Sequence, residues 1–145
     1  MNATDFIIES NKIEGIHSPP TQLEIDAHNN FMKLENITVQ DLKDFVFAYQ
    51  PNARLRDMIG MNVMVGNYHP PEGGPDIKSS LELLLFNVNI GMLNPYNAHI
   101  KYESLHPFTD CNGRSGRILW LWMMRSAPLG FLHTWYYQSL ANSRT

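Results

Sequence analysis

The sequence predicts an all-α fold with one irregular insertion, and two observations support this. Apolar residues recur three or four positions apart along most of the chain, which is the spacing of an amphipathic helix. Helix start and stop signals bracket those stretches. With 145 residues, 43% of them hydrophobic, the chain is long enough for a single domain with a buried core.

The first two predicted helices have clear start signals. After Pro20, Thr21 and Glu24 stand at the spacing of a capping box. Thr38 caps the next helix, which ends before Pro51. The residues expected to face the core are Leu23, Ala27, Phe31 and Leu34 in the first helix, and Val39, Leu42, Phe45, Val46 and Tyr49 in the second.

Four more helices are predicted towards the C-terminus. One spans residues 75–90 with Gly91 as its stop, and one spans residues 94–105, because Pro107 disfavours helix at the residue before it. Another begins near Asn112. The residues expected to face inward are Ile77, Leu81, Leu84, Leu85 and Val88, then Ile118, Leu121 and Trp122, and in a last helix Phe131, Leu132, Trp135 and Tyr136.

Residues 58–75 interrupt the helical pattern. Met61 to Val65 suits a short strand, and Gly66-Asn67 is a turn dipeptide. The following stretch is rich in proline and glycine and is not regular structure. We therefore expect a small β-hairpin, or flap, between two helices, of the kind that often has a functional role.

Charge and cysteine content narrow the class of protein. Eleven Lys and Arg against fourteen Asp and Glu give a net charge of -3, so no basic excess favours nucleic acid or an anionic membrane surface. The single cysteine excludes an internal disulfide. The sequence shows no apolar run of membrane-spanning length and no signal-peptide pattern at its start. We expect a cytoplasmic protein without a membrane or nucleic-acid partner.

One loop carries most of the chemical information. It leaves one predicted helix and enters the next, and it reads His106-Pro107-Phe108-Thr109-Asp110-Cys111-Asn112-Gly113-Arg114-Ser115-Gly116-Arg117. Backbone N–H groups at a helix start, with Gly113 allowing close approach, suit an anion. Asp110 suits a hard cation beside that anion. Arg114 and Arg117 are one turn apart and suit phosphate, while His106 suits proton abstraction. The combination indicates nucleotide-dependent group transfer.

The same loop resembles the signature of the Fic family, H-x-F-x-(D/E)-G-N-G-R-x-x-R. Every specified position matches except that Cys111 stands where the family has Gly. The preceding helix is also similar to the family, through Ala98, His99, Tyr102 and Leu105. The resemblance extends over residues 58–142 and implies a Fic-domain helical bundle with a small β-hairpin flap.

The resemblance implies a protein adenylyltransferase that moves AMP from ATP to a Ser, Thr or Tyr hydroxyl of a target protein. His106 is then the general base, and Asp110 the ligand of Mg²⁺ or Mn²⁺. Phe108 is a core anchor. The ATP phosphates are held by Asn112, Gly113, Arg114 and Arg117. The implied partners are ATP and a hydroxyl-bearing protein, with self-modification and a homo-oligomer as further expectations.

Two further regions receive roles from the same resemblance. The flap around Met64, Val65 and Gly66 is implied to dock the target by strand addition. Tyr136 and Tyr137 are implied to lie on the adenine side of the nucleotide. The resemblance also implies that residues 21–145 form the catalytic core.

The N-terminus is similar to the inhibitory motif (S/T)-x-x-x-E-(G/N) of autoinhibited Fic proteins. Ser10 and Glu14 are four residues apart, on one face of a helix. The resemblance implies that residues 1–20 form an inhibitory helix segment in which Glu14 pairs with Arg117. The resemblance further implies that this contact blocks the position of the γ-phosphate.

Several alternatives stay open on sequence grounds. Relatives in the family that the chain resembles also transfer the terminal phosphate or remove AMP from a target, and the resemblance implies AMP transfer here because Gly113 is retained. A catalytically weak nucleotide-binding regulator is another alternative, indicated by Cys111. His99, His106 and Asp110 can also be interpreted as a transition-metal site. At a helix start beside arginines, Cys111 is expected to have a lowered pKa and some reactivity.

Overall fold

The computed structural model describes residues 2–124, and their regular structure is entirely helical. The six helices there are α1 (Ala3–Ile13), α2 (Gln22–Met32), α3 (Val39–Tyr49), α4 (Pro75–Asn89), α5 (Pro95–Leu105) and α6 (Asn112–Met123). The predicted all-α class is confirmed for this part of the chain. The helix expected to carry Phe131 and Tyr136 lies outside the described residues.

Local capping explains where these helices begin. Thr21 Oγ1 accepts from Glu24 N at 3.1 Å, and the Glu24 carboxylate accepts from Thr21 N at 2.9 Å, so the predicted capping box is formed. Thr38 forms the same arrangement with Asp41. Asn94 caps α5, with proline at the first helical position.

Helix α6 lies at the centre of the bundle. It contacts α1, α2, α3 and α5, and five consecutive apolar residues on it are buried: Ile118, Leu119, Trp120, Leu121 and Trp122. A helix that is apolar on all sides is stable only when neighbours surround it. The loop that begins α6 is therefore held between several helices.

The predicted core face of α2 is wrong at its start. Leu23 is 69% exposed, whereas Glu24, His28 and Phe31 are buried. The physical reason is α1, which packs on this face and supplies polar and aromatic partners. Asn11 Nδ2 donates to Glu24 Oε2 at 3.1 Å, and the ring of Phe6 lies 5.5 Å from that of His28. His28 is thus part of the contact between α1 and α2.

The predicted flap strand is also wrong. Residues 58–74, called the flap below, contain no β-strand, and only a single bridge pairs Val65 with Tyr68. The two N–H···O distances of that bridge are 3.0 and 2.9 Å, and Gly66 occupies the turn with φ +59°. Pro70 and Pro71 follow and have no N–H groups to extend the pairing. The expected hairpin is reduced to its turn.

The helices within residues 2–124 do not meet the requirements of a membrane span. None of them has both the length and the hydropathy needed to cross a bilayer.

Candidate active site

The loop between α5 and α6 is closed by the side chain of Asn112. Its Oδ1 accepts from Phe108 N at 2.8 Å, and its Nδ2 donates to Phe108 O at 2.7 Å. Both residues are buried, with Phe108 1% exposed in the core as the sequence interpretation expected. The Asn112 amide therefore holds the two ends of the loop together.

A second buried contact joins the loop to α5. The hydroxyl groups of Tyr102 and Ser115 lie 2.7 Å apart, and Ser115 Oγ donates to Cys111 O at 2.8 Å. Burial raises the pKa of Tyr102 well above its ordinary value, so this phenol keeps its hydrogen. The start of α6 is therefore fixed against the helix that carries His106 at its end.

Cys111 has a backbone conformation that glycine adopts more easily. Its φ of +71° lies in the left-handed region, which explains why the signature has Gly at this position. The side chain is buried, and burial raises the pKa of the thiol to about 12 despite the nearby Arg114. The expected low pKa is wrong, since the loss of hydration outweighs the attraction of the arginines.

His106 ends α5 in a left-handed conformation, with φ +51°. Its Nδ1 lies 3.3 Å from Glu103 O, and its side chain is partly buried. With the ring hydrogen on Nδ1, Nε2 keeps the lone pair that a general base requires.

Asp110 lies at the exposed edge of the same loop, where its Oδ1 accepts from Cys111 N at 2.7 Å. Among residues 2–124, no group of three or more His, Cys, Asp or Glu side chains is placed to hold a metal ion. The interpretation of His99, His106 and Asp110 as a transition-metal site therefore finds no support there. A cation at Asp110 would take its other ligands from a phosphate chain and water, which is how proteins usually bind Mg²⁺.

Arg117 connects this loop to the N-terminal helix. Its Nε donates to Ser10 Oγ at 2.8 Å, and its Nη2 donates to Ser10 O at 3.0 Å and to Glu14 Oε1 at 2.8 Å. The Arg117 side chain is 2% exposed and that of Glu14 is 34% exposed. The pairing of Glu14 with Arg117 that the resemblance implies is present in the structure.

Gly113 lies directly beneath this ion pair. A Cβ added to Gly113 would clash with Glu14 Oε1 and come within 3.0 Å of Arg117 Nη1. The carboxylate of Glu14 thus occupies the space over the first turn of α6 that only a glycine leaves open. The sequence analysis predicts an anion at this helix start, and in the structure the Glu14 carboxylate lies there.

Arg114 is the first arginine of the signature, and it is 6% exposed. Its guanidinium lies 5.7 Å from the centre of the Tyr49 ring. Its Nε has no hydrogen-bond partner within residues 2–124. A buried donor without an acceptor lowers the stability of the folded protein unless a ligand or a water molecule accepts its hydrogen bond.

Two residues that join the flap to the end of α5 and to the loop after it were not predicted from the sequence. Arg56 is fully buried and donates to carbonyl groups of both segments, and Tyr68 Oη donates to Ser104 O at 2.8 Å. Neither residue stood in a recognisable motif. Their role depends on which backbone carbonyls the fold brings together, and the residue pattern carries no signal for that.

The remaining residues with implied roles lie on the flap or outside the described residues. Met64, Val65 and Gly66 are exposed on the flap. Tyr136 and Tyr137 lie outside the described residues.

No protein-family model matches the chain, and a search of curated proteins finds no significant match.

Proposed function

We propose that this protein is a Fic-type protein adenylyltransferase that Glu14 holds in an inhibited state. The observation that carries the proposal is the position of the Glu14 carboxylate. It lies on Arg117 and over Gly113, at the start of the helix whose preceding loop holds His106 and Asp110. A carboxylate of the chain itself in this place indicates that the space over Gly113 and beside Arg117, called the cradle below, favours a bound anion.

Three features of the site fit an ATP phosphate chain with its cation. Gly113 leaves space for an oxygen against the helix start, and Arg114 has a buried Nε that lacks a partner among residues 2–124. Asp110 presents a carboxylate at the exposed edge of the loop. Mg²⁺ or Mn²⁺ held by Asp110 supplies charge neutralisation to the phosphates when bound.

His106 and the two arginines share the chemistry in this proposal. Nε2 of His106 takes the proton from the hydroxyl of the target, and the hydroxyl oxygen forms a bond to the α-phosphorus of ATP. The bond from that phosphorus to the bridging oxygen breaks, and pyrophosphate leaves. Arg114 and Arg117 hold the leaving phosphates, which stabilises the negative charge that develops on them.

Glu14 inhibits by occupying Arg117. A phosphate oxygen and the Glu14 carboxylate are both anions, and they compete for the same guanidinium and the same space over Gly113. With about one third of its side chain exposed, Glu14 is at the mouth of the site and can leave without unfolding of the core. Transfer then requires that Glu14 be displaced, through a partner or a change in oligomeric state.

The flap is proposed to hold the target chain. Met64 is 62% exposed and lies before the turn at Gly66, so apolar side chain and backbone are both presented to solvent. An extended segment of the target could pair along this edge and bring its hydroxyl towards His106.

The proposal is tested by incubation with ATP labelled on the α-phosphate, Mg²⁺ and cell lysate. We expect label on protein with Glu14→Gly, little with the native chain, and none with Glu14→Gly/His106→Ala. His17→Ala in the same Glu14→Gly background is the matched control, because His17 is an exposed residue between α1 and α2. Binding of ATP without any label in all variants would instead support a nucleotide-binding regulator.

A further inference from the structure

We infer that Arg56 is a positioning residue that makes the flap and the His106 loop a single unit, so that a target held by the flap is presented to His106 at a set distance. The inference rests on the proposed transferase function. It assigns a role to a residue outside the signature loop.

The guanidinium of Arg56 donates to four backbone carbonyl groups on two sides. On the loop side, Nε donates to His106 O at 2.7 Å and Nη2 to Leu105 O at 2.9 Å. On the flap side, Nη1 donates to Met61 O at 3.0 Å and to Pro71 O at 2.9 Å. One side chain thus binds both arms of the flap and the residue proposed as the base.

The backbone of Arg56 strengthens the same connection. Arg56 N donates to Pro107 O at 2.8 Å, and Gly74 N donates to Arg56 O at 2.9 Å. The residue before it, Leu55, forms a bridge with Phe108. The segment before the flap, the end of the flap and the loop after α5 therefore share one hydrogen-bonded junction.

Only an arginine side chain satisfies this junction. Its planar group carries five N–H donors in a fixed arrangement, whereas a lysine has three donors at one nitrogen. Arg56 is 0% exposed, so carbonyl groups left without a partner there are also shielded from water. Replacement by lysine is expected to keep the charge but release at least one side of the junction.

Tyr68 provides a second, weaker connection at the tip of the flap. Its hydroxyl donates to Ser104 O at 2.8 Å, in the last turn of α5. The side chain is 46% exposed, so Tyr68→Phe removes the hydrogen bond without disturbing the core.

The junction is separate from the proposed phosphate cradle. Arg114 and Arg117 contact Tyr49, Ser10 and Glu14, and none of the hydrogen bonds of Arg56 involves residues 112–117. Loss of Arg56 is therefore expected to impair the transfer step while nucleotide binding stays unchanged.

The test compares Arg56→Lys with Arg54→Lys, both in the Glu14→Gly background. Arg54 is a matched control, because it is exposed and, within residues 2–124, its guanidinium donates only to the nearby Pro51 O and Ala53 O. The measurements are the rate of self-labelling from α-labelled ATP, the ATP concentration at half-maximal rate, and amide hydrogen exchange. We expect Arg56→Lys to lower the maximal rate about tenfold or more, since small misplacements of reacting groups have effects of this order. The half-maximal ATP concentration should stay within about twofold.

Hydrogen exchange separates the two proposals. In Arg56→Lys, exchange should become faster in residues 58–74 and 105–109 but not in residues 113–117. If the Glu14→Gly parent transfers no label, the proposed function fails, while coupled loss of protection in the two segments still supports the junction. Equal exchange and equal rates in Arg56→Lys and Arg54→Lys would overturn the inference.

Tyr68→Phe keeps the inference testable if Arg56→Lys does not fold. We expect it to raise exchange in residues 64–70 and to lower the maximal rate by a smaller factor, again with unchanged ATP dependence. Identical behaviour of Tyr68→Phe and its parent would then contradict the inference.

Discussion

Glu14 Oε1 and Arg117 Nη2 lie 2.8 Å apart, although 103 residues separate them in the sequence. The pair joins the end of α1 to the first turns of α6 and places a carboxylate over Gly113. Ser10 completes the contact by accepting from the same guanidinium. The N-terminal helix is thereby attached to the candidate site through the arginine that the proposed reaction uses.

Removal of the charge on Glu14 should strengthen nucleotide binding. In Glu14→Gln, the side chain keeps its shape but no longer competes as an anion for Arg117. A hydrogen bond to a charged group contributes about 1.5–3 kcal/mol, so we expect Mg²⁺–ATP to bind about tenfold more tightly or better. Titration calorimetry measures this. Glu9→Gln is the control, because Glu9 lies on the same helix and pairs with Lys12. Equal affinities in both variants would show that Glu14 does not occupy the nucleotide site.

The effect of a side chain at position 113 on stability should depend on the presence of Glu14. The Cβ of Gly113→Ala collides with Glu14 Oε1, so this substitution is expected to loosen α1 and lower the melting temperature. The penalty should largely disappear in the Glu14→Gly background, where the collision is absent. ATP binding should stay weak in the double variant, because the Cβ still fills the cradle. Thermal melts of the four proteins in this cycle give the coupling, and purely additive effects would contradict the proposed contact.

Cys111 should be unreactive while the protein is folded. Burial raises the pKa of its thiol to about 12, so little thiolate exists at pH 8 and the sulfur is shielded from reagents. We expect slow labelling by a thiol reagent in the native protein and rapid labelling in denaturant. Equally rapid labelling in both conditions would show that the loop before α6 opens readily.

Acid should weaken the contact between α1 and α2 through His28. Burial lowers the pKa of His28 from 6.5 to about 4, so the folded protein keeps this ring neutral while the unfolded chain binds a proton below pH 6.5. Stability is therefore lost as the pH falls from 6.5 towards 4. Between pH 6.5 and pH 5, titration of His28 should lower the free energy of unfolding by roughly 1.5 kcal/mol.

Urea denaturation at the two pH values measures the effect. His28→Leu should unfold with a flatter pH dependence than the native chain, since it lacks the titrating ring. His17→Leu is the control, because His17 is exposed. The same pH dependence in the native chain and His28→Leu would show that His28 does not titrate differently on folding.

Helix boundaries were predictable because their signals are local. Thr21, Thr38 and Asn94 all cap helices as the sequence indicated, and the inward residues of α4 from Ile77 to Val88 are buried as expected. Errors arose where a distant segment decides the outcome. The exposure of Leu23 follows from the packing of α1 on α2, and the burial of Cys111 outweighs the usual effect of a helix start on the pKa of a thiol.

The candidate site likewise combines residues with a local sequence signal and residues whose partners lie far away in the sequence. The spacing of residues 106–117 could be interpreted as one chemical unit, because its members lie on one loop and one helix. The four carbonyl partners of Arg56 come from segments up to 50 residues away, and no residue pattern encodes their meeting point. Backbone acceptors carry no sequence signal, so such a junction becomes visible only in the folded chain.

The most direct test of the proposed function is the identity of the phosphate that reaches protein. Glu14→Gly is incubated with Mg²⁺ and ATP labelled on either the α- or the γ-phosphate, and protein-bound label is counted. The account predicts label from the α-phosphate alone, with loss of that label in Glu14→Gly/His106→Ala. Label from the γ-phosphate, or α-label that persists without His106, would contradict it.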